Sequence, residues 1–140
     1  MSLSTNRKIV SVVDDDIYIA KLFHEALRQN FFQVQVFSFT EPVMALEHFT
    51  ENRENFALVI SDLRMNGLNG LELLKKVKTL NAKVRTILMS AYNFDEDPTY
   101  QQYIKDQVIN STIEKPVTMN RLYQRVHEEL NAYQKTNRKP

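Results

Sequence analysis

The chain has 140 residues, 43% of them hydrophobic and 25% charged, with a net charge of +1 and no cysteine. That length suits one domain burying about two-thirds of its unfolded surface, and the composition is that of a soluble globular protein. Near-neutral charge provides no footprint for nucleic acid or an anionic membrane, the lack of cysteine excludes disulfides and thiolate chemistry, and no apolar run approaches the ~20 residues of a membrane span. No signal peptide precedes Lys8, so the expected location is the cytoplasm. Residues 1–7 read as a polar lead-in, 8–133 as the folded domain, and 134–140 as a polar, basic tail expected to fray.

Ile9 to Val13 is a β-branched run ending in Asp14-Asp15-Asp16. Asp16 suits a helix cap, and Ala20, Phe23, Ala26 and Leu27 then form an inward stripe, with Lys21, Glu25 and Arg28 on the other face. Val34 to Phe39 predicts a second strand. Thr40 is the expected N-cap of the next helix, with Glu41 and Pro42 in its first turn and Ala45, Leu46 and Phe49 inward. Ala57 to Ser61 is a short, continuous apolar run that leads straight into Asp62, the pattern of a fully buried parallel strand.

Asn66-Gly67-Leu68-Asn69-Gly70 holds both glycines of the chain and predicts a turn-rich loop. Asn69 with Glu72 resembles a capping box opening a helix with Leu71, Leu74 and Val77 inward. Val84 to Met89 predicts the fourth strand, ending in Ser90-Ala91. Asp95 to Val108 predicts a helix with Tyr100, Tyr103, Ile104 and Val108 partly inward, the tyrosine pair serving as ordinary packing. Ser111 to Glu114 is the fifth strand and precedes Lys115-Pro116. Thr118 caps the last helix, whose stripe is Leu122, Val126, Leu130 and Tyr133. His24, His48 and His127 fall on separate helices with no spacing for metal or nucleophilic work, and are expected at the surface or at helix edges.

A strand-helix alternation repeated five times implies an α/β fold, a parallel sheet with helices on both faces. Parallel strands all leave the sheet on one side, so Asp14 and Asp15, Asp62, Ser90 and Lys115 arrive at one edge, where ligands bind such sheets. Three converging carboxylates require either a raised pKa or a neutralising cation. Oxygen ligands with no His or Cys select Mg²⁺, which takes one or two carboxylates and completes its shell with water and phosphate oxygen. One carboxylate is then left as a nucleophile for a phosphoryl group, whose equatorial oxygens need Mg²⁺, the Lys115 ammonium and the Ser90 hydroxyl.

Val12-Val13-Asp14-Asp15, Ile60-Ser61-Asp62-Leu63-Arg64-Met65, Leu88-Met89-Ser90-Ala91 and Glu114-Lys115-Pro116 together resemble the receiver domain of two-component response regulators, the CheY-like family. Each motif alone is weak; four in order on the expected strands are specific, and the resemblance covers residues 8–133. It implies a flavodoxin-like, doubly wound five-stranded parallel sheet in the order 2-1-3-4-5. It implies that Asp62 is the phospho-acceptor, phosphorylated from a histidine kinase or histidine phosphotransfer protein. It implies that Mg²⁺ is held by Asp14, Asp15, Asp62 and the backbone carbonyl of Arg64, and that Ser90 and Lys115 (followed by a proline often in cis) contact the phosphoryl group.

Some positions depart from the family pattern. Asn66 replaces the proline often found after the acceptor loop's methionine, and Asn69-Gly70 replaces Asp-Gly. Thr112 stands at the switch position usually held by Tyr or Phe. The segment from Ala91 to Lys115 is longer and lacks the common Gly-Ala. Arg64 and Tyr92, two positions beyond Asp62 and Ser90, are expected to tune the lifetime of the acyl phosphate.

With no domain expected after Tyr133, the expected function is a stand-alone receiver that is not otherwise an enzyme. Phosphorylation would switch, through Ser90 and Thr112, a protein-interaction face built from the fourth helix, fifth strand and fifth helix. That face is also the expected homodimer surface. Onward transfer of the phosphoryl group is the other output. A degenerate receiver acting as a phosphorylation-independent docking module is the alternative. An aspartyl phosphatase of the haloacid dehalogenase type ranks below both, because Arg64 stands where its second acid belongs and no cap domain is present. FMN binding is disfavoured because no Ser/Thr/Gly-rich loop follows the first strand.

Overall fold

The computed structural model describes residues 7–91 and 97–137. The chain alternates β1 (Lys8–Val13), α1 (Ile17–Asn30), β2 (Val34–Phe39), α2 (Pro42–Asn52), a short 3₁₀ turn (Arg53–Asn55), β3 (Phe56–Asp62), α3 (Gly70–Leu80), β4 (Arg85–Ser90), α4 (Pro98–Lys105), β5 (Ser111–Glu114) and α5 (Met119–Asn137). The five strands form one parallel sheet in the order β2-β1-β3-β4-β5. Both the fold class and the strand order match expectation.

The strand sequences explain the layering. Every residue of β3 is buried, as a central strand covered on both faces must be. Side-chain alternation then divides the core. Val10, Val12, Leu58, Ile60, Ile87 and Met89 pack with Phe23 and Leu27 of α1 and Leu122, Val126 and Leu130 of α5. Ile9, Val13, Val59 and Leu88 pack on the opposite face with Ala45 and Phe49 of α2 and Leu73, Leu74 and Val77 of α3.

Local chemistry sets the helix boundaries. Asp16 caps α1 by accepting from the backbone N–H of Tyr18 at 2.9 Å and Ile19 at 3.3 Å. Asn69 and Glu72 form the reciprocal capping box at α3, with bonds of 2.9 and 3.2 Å. The cap of α2 is Glu41, not Thr40, and its side chain makes no capping bond. Pro42 occupies the first helical position, where its fixed φ is already helical, and so moves the start one residue on. In α3 the inward positions are Leu73, Leu74 and Val77, with Leu71 only half-buried and Ala26 of α1 likewise.

Helix α4 is shorter than the predicted 95–108, of which Asp95 and Glu96 lie outside the described residues. It starts at Pro98, capped by Asp97, and stops at a turn in which Gln107 adopts φ 63° and Val108 N–H donates to the Tyr103 carbonyl at 2.9 Å. None of its residues is fully buried; Tyr100, Tyr103 and Ile104 pack partly against the core. At the other end, α5 continues to Asn137, past the boundary expected at 133. Buried Tyr133 anchors the last turns, and Asn137 Nδ2 donates to its carbonyl at 2.8 Å.

His127 is exposed, whereas His24 bonds Ser38 Oγ through Nδ1 at 3.1 Å. His48 sits at the edge of α2 with its ring among Phe37, Phe39 and Phe56, and burial lowers its pKa.

Candidate functional site

The site lies at the carboxyl end of the sheet, where β1, β3, β4 and β5 stop. Val13 is registered with Ser61, and Asp62 with Met89, so the acids that follow β1 and end β3 are neighbours. Asp14, Asp15 and Asp62 each offer an oxygen within 4.8 Å of the others, and no other acidic or histidine group converges this way among the described residues. Asp14 is 1% exposed and Asp62 6%, while Asp15 faces solvent.

The backbone pins these groups from several directions. Asp14 N–H donates to the Phe39 carbonyl at 3.0 Å, and Leu63 N–H to the Met89 carbonyl at 2.9 Å. Lys115 N–H donates to the Ser90 carbonyl at 2.9 Å, tying the last two site strands together. The Lys115–Pro116 peptide is cis. Gly70 opens α3 directly against β3, where a Cβ would overlap the Asp62 carbonyl oxygen. Only glycine permits that approach.

Charge is unevenly compensated. Lys115 Nζ lies 2.7 Å from Asp62 Oδ1, with the lysine partly exposed. Asp14 Oδ1 accepts from Asp16 N–H at 2.9 Å, but its buried Oδ2 has no hydrogen-bond partner among the described residues. Burial pushes the Asp14 carboxyl up to about 6, with the neighbouring Asp62 and Asp15 charges adding to the rise and the Asp16 bond and Lys115 opposing it. An orphaned carboxylate oxygen beside two further carboxylates is a hard, all-oxygen donor set. It fits a divalent cation such as Mg²⁺.

Two recesses adjoin the acids. One, about 340 Å³, is lined by Asp62, Leu63, Arg64, Ser90, Ala91 and Lys115. The other, about 420 Å³, opens beside Asp15, Arg64, Asn66, Asn69 and Tyr100. Arg64 is exposed and borders both. Asp14, Asp15, Asp62, Ser90 and Lys115 thus meet at one edge. Thr112 does not line either recess; it is half-buried on β5 opposite Leu88, and its carbonyl accepts from Arg125 Nε at 3.2 Å. Tyr92 lies outside the described residues. Two contacts carry no signal in the sequence: Arg125, which has no motif, reaches the Thr112 carbonyl, and Tyr100, expected to pack, also borders the second recess.

A family model for the response regulator receiver domain matches residues 10–127. Over 87 residues the chain is 33% identical to sporulation initiation phosphotransferase F of Bacillus subtilis, covering 62% of this chain and 66% of that protein. It is 31% identical over 121 residues to transcriptional regulatory protein ZraR of Klebsiella oxytoca, covering 86% of this chain but 26% of the relative. The matched region therefore spans about a quarter of the length of that larger regulator. A response regulator receiver domain from Clostridium thermocellum superposes with a TM-score of 0.81 at 22% identity, covering 92% of this chain and 98% of that one. A CheY-like receiver from Methanospirillum hungatei gives 0.79 at 24% identity, covering 93% and 98%. At these identities the structural matches speak for the fold.

Proposed function

The chain belongs to the response regulator receiver family of two-component systems, and on that premise we propose that Asp62 accepts a phosphoryl group from a phosphohistidine in a Mg²⁺-dependent reaction. The observation that carries the reading is the Asp62 carboxylate, paired with Lys115 at 2.7 Å and grouped with Asp14 and Asp15 within 4.8 Å. A buried acid with an unpaired oxygen, as Asp14 has among the described residues, destabilises the fold unless a ligand uses it.

Asp14, Asp15 and Asp62, with the Arg64 backbone carbonyl, would hold the cation. Mg²⁺, when bound, supplies charge neutralisation for the three acids and a partner for one phosphoryl oxygen. Asp62 supplies the nucleophilic oxygen. Lys115 then exchanges its carboxylate partner for a phosphoryl oxygen, and Ser90, on the wall of the same recess, hydrogen-bonds another. Arg64, which borders both recesses, would tune attack of water on the acyl phosphate and so its lifetime, and Tyr92 is expected in the same role.

The output follows from the site's position on β4 and β5. Drawing Ser90 and Lys115 toward a phosphoryl group pulls on two strand ends joined by the Lys115–Ser90 bond. The nearest loosely held element is α4, which has no fully buried residue. Thr112 offers no aromatic ring to swing, and its carbonyl bond to Arg125 of α5 is the alternative linkage. The readout is thus a population shift of the α4–β5–α5 face toward a protein partner, a second copy of the chain, or onward phosphoryl transfer.

Phosphoramidate, whose P–N bond imitates phosphohistidine, tests this reading with and without Mg²⁺ by intact mass. One phosphoryl group gained only with Mg²⁺, and lost in Asp62→Asn, is expected. A folded protein that gains none under either condition would instead act as a phosphorylation-independent docking module.

A further inference from the structure

A second unusual ionisable group lies far from the acids. Lys78, in the last turn of α3, is half-buried on the wall of a recess of about 470 Å³ formed with the end of α4. Its Nζ donates to Asn110 Oδ1 at 2.8 Å and reaches the Ala82 carbonyl at 3.5 Å, both neutral acceptors. Among the described residues no carboxylate pairs with it. Glu129 of α5, the one acid whose charge acts on Lys78, is taken by Arg85 Nε at 2.7 Å and by Ser111 Oγ. Asp106, on the recess rim, accepts from Gln102 Nε2 at 2.9 Å. Two further cations, Lys75 of α3 and Lys105 of α4, line the opening, and Lys75 Nζ stands 5.7 Å over the Tyr103 ring.

A lysine at a helix C-terminus ordinarily complements the dipole as a solvated cation. Lys78 departs from that role because its ammonium is desolvated and repelled by Arg85, with only the distant charge of Glu129 opposing. Burial and Arg85 together bring its pKa down to about 8. The amine is therefore partly neutral near physiological pH. A neutral amine can keep N–H bonds to Asn110 and Ala82 and still hold a free lone pair on the recess wall.

We propose that Lys78 is a nucleophilic acylation site that takes the acyl group of a small acyl phosphate. The Nζ lone pair attacks the acyl carbon and a C–N bond forms. The C–O bond to phosphate breaks, phosphate leaves with the electron pair, and the amine proton passes to water. Lys75 and Lys105 supply positive charge for the departing phosphate. The product amide removes the buried charge and keeps one N–H for Asn110 Oδ1, which also accepts from Thr86 N–H at 2.9 Å at the start of β4.

The full chain is incubated with acetyl phosphate across pH 7 to 10, and acetylation at each lysine is read by peptide mass, which separates acetyl from phosphoryl adducts. At pH 8 Lys78 should be half neutral against well under 1% of exposed lysines such as Lys21 and Lys83. With lower basicity costing about ten-fold in nucleophilicity, as for thiols, a net preference of about ten-fold is expected. The Lys78 rate should level off above pH 8 while the exposed sites keep rising. Asn110→Asp, which sets a carboxylate against the amine, should cut Lys78 labelling by about ten-fold and remove the plateau. Lys75→Gln with Lys105→Gln should slow acetyl phosphate but not acetic anhydride, which has no phosphate to recognise. Labelling of Lys78 that is no faster than that of Lys21, or that follows the same pH profile, overturns the proposal. Equal slowing of both reagents in the double variant removes the phosphate-recognition part.

Discussion

The two ends of the sheet both bury charge, and they do so in opposite ways. At the amino end, Glu129 is 5% exposed, yet one oxygen accepts from Arg85 Nε at 2.7 Å and the other from Ser111 Oγ. Beside it, Asn110 Oδ1 receives Lys78 and Thr86, while Thr86 Oγ donates to the Val108 carbonyl at 2.7 Å. At the carboxyl end, Asp14 is more deeply buried than Glu129, and one of its oxygens has no hydrogen-bond partner among the described residues. Its neighbours are two more acids, set against the Lys115 ammonium. The same fold can therefore close a buried carboxylate completely. Where it does not, the unsatisfied oxygen is capacity for a ligand, and the cost is stability.

That contrast breaks most visibly at its closed end. Glu129→Ala strands a largely buried guanidinium and should lower the free energy of unfolding by about 3–5 kcal/mol, measured by urea denaturation. Replacing both partners, as Arg85→Met with Glu129→Leu, should cost far less, since an apolar pair needs no compensation. A double variant as damaged as the single one would mean the network does more than satisfy itself.

At the open end the sign reverses. The Asp14 carboxyl has a folded pKa of about 6 against an ordinary 3.8, so the protonated form favours folding. Its contribution is fully present below pH 3.8 and is lost as pH rises through 6, a difference of about 3 kcal/mol. Asp14→Asn should accordingly stabilise the metal-free protein by about 2–3 kcal/mol at pH 7.5 and by little at pH 4. Mg²⁺ should stabilise the parent chain at pH 7.5, less at pH 5 where Asp14 holds its proton, and less again in Asp14→Asn. Thermal melts over pH with and without Mg²⁺ check all three, and a destabilised Asp14→Asn at pH 7.5 would show that the open oxygen has a structural partner after all.

The carboxyl end is open in charge but closed in backbone. Gly70→Ala drives a methyl into the Asp62 carbonyl oxygen, and an overpacking loss of about 1–3 kcal/mol is expected by denaturation, together with a displaced acceptor loop. The smallest effect belongs to the turn beneath α4. Gln107 holds φ 63° at a position that favours glycine, so Gln107→Gly should gain up to about 1 kcal/mol. A loss there would assign the Gln107 side chain a role in the Lys78 recess that it borders.

Periodicity and caps made most of this molecule legible in the chain. Asp16, Asn69 with Glu72, and the continuous apolar runs of β1 and β3 report their own structure because capping and burial act over a few neighbouring residues. The α2 cap slipped to Glu41 because Pro42 dictates its own position. Helix α4 shortened because its apolar spacing is weak and its end is set by the left-handed turn at Gln107. The α5 boundary moved because the turn after Tyr133, a residue the stripe already placed inward, stays helical, with Asn137 bonded back to the Tyr133 carbonyl, which polar tail composition does not reveal.

For the site, the sequence by itself determined which side chains would meet. A parallel sheet sends every strand end to one edge, so four short motifs in order were enough to bring Asp14, Asp15, Asp62, Ser90 and Lys115 together. Only the tertiary structure decided how their charges balance. The orphaned Asp14 oxygen and the desolvation of Lys78, like the Gly70 contact with Asp62 (8 positions apart) and the Asp62–Lys115 pair (53 apart), depend on distances in space. Burial and Coulomb energy follow those distances through space, and no spacing along the chain encodes them.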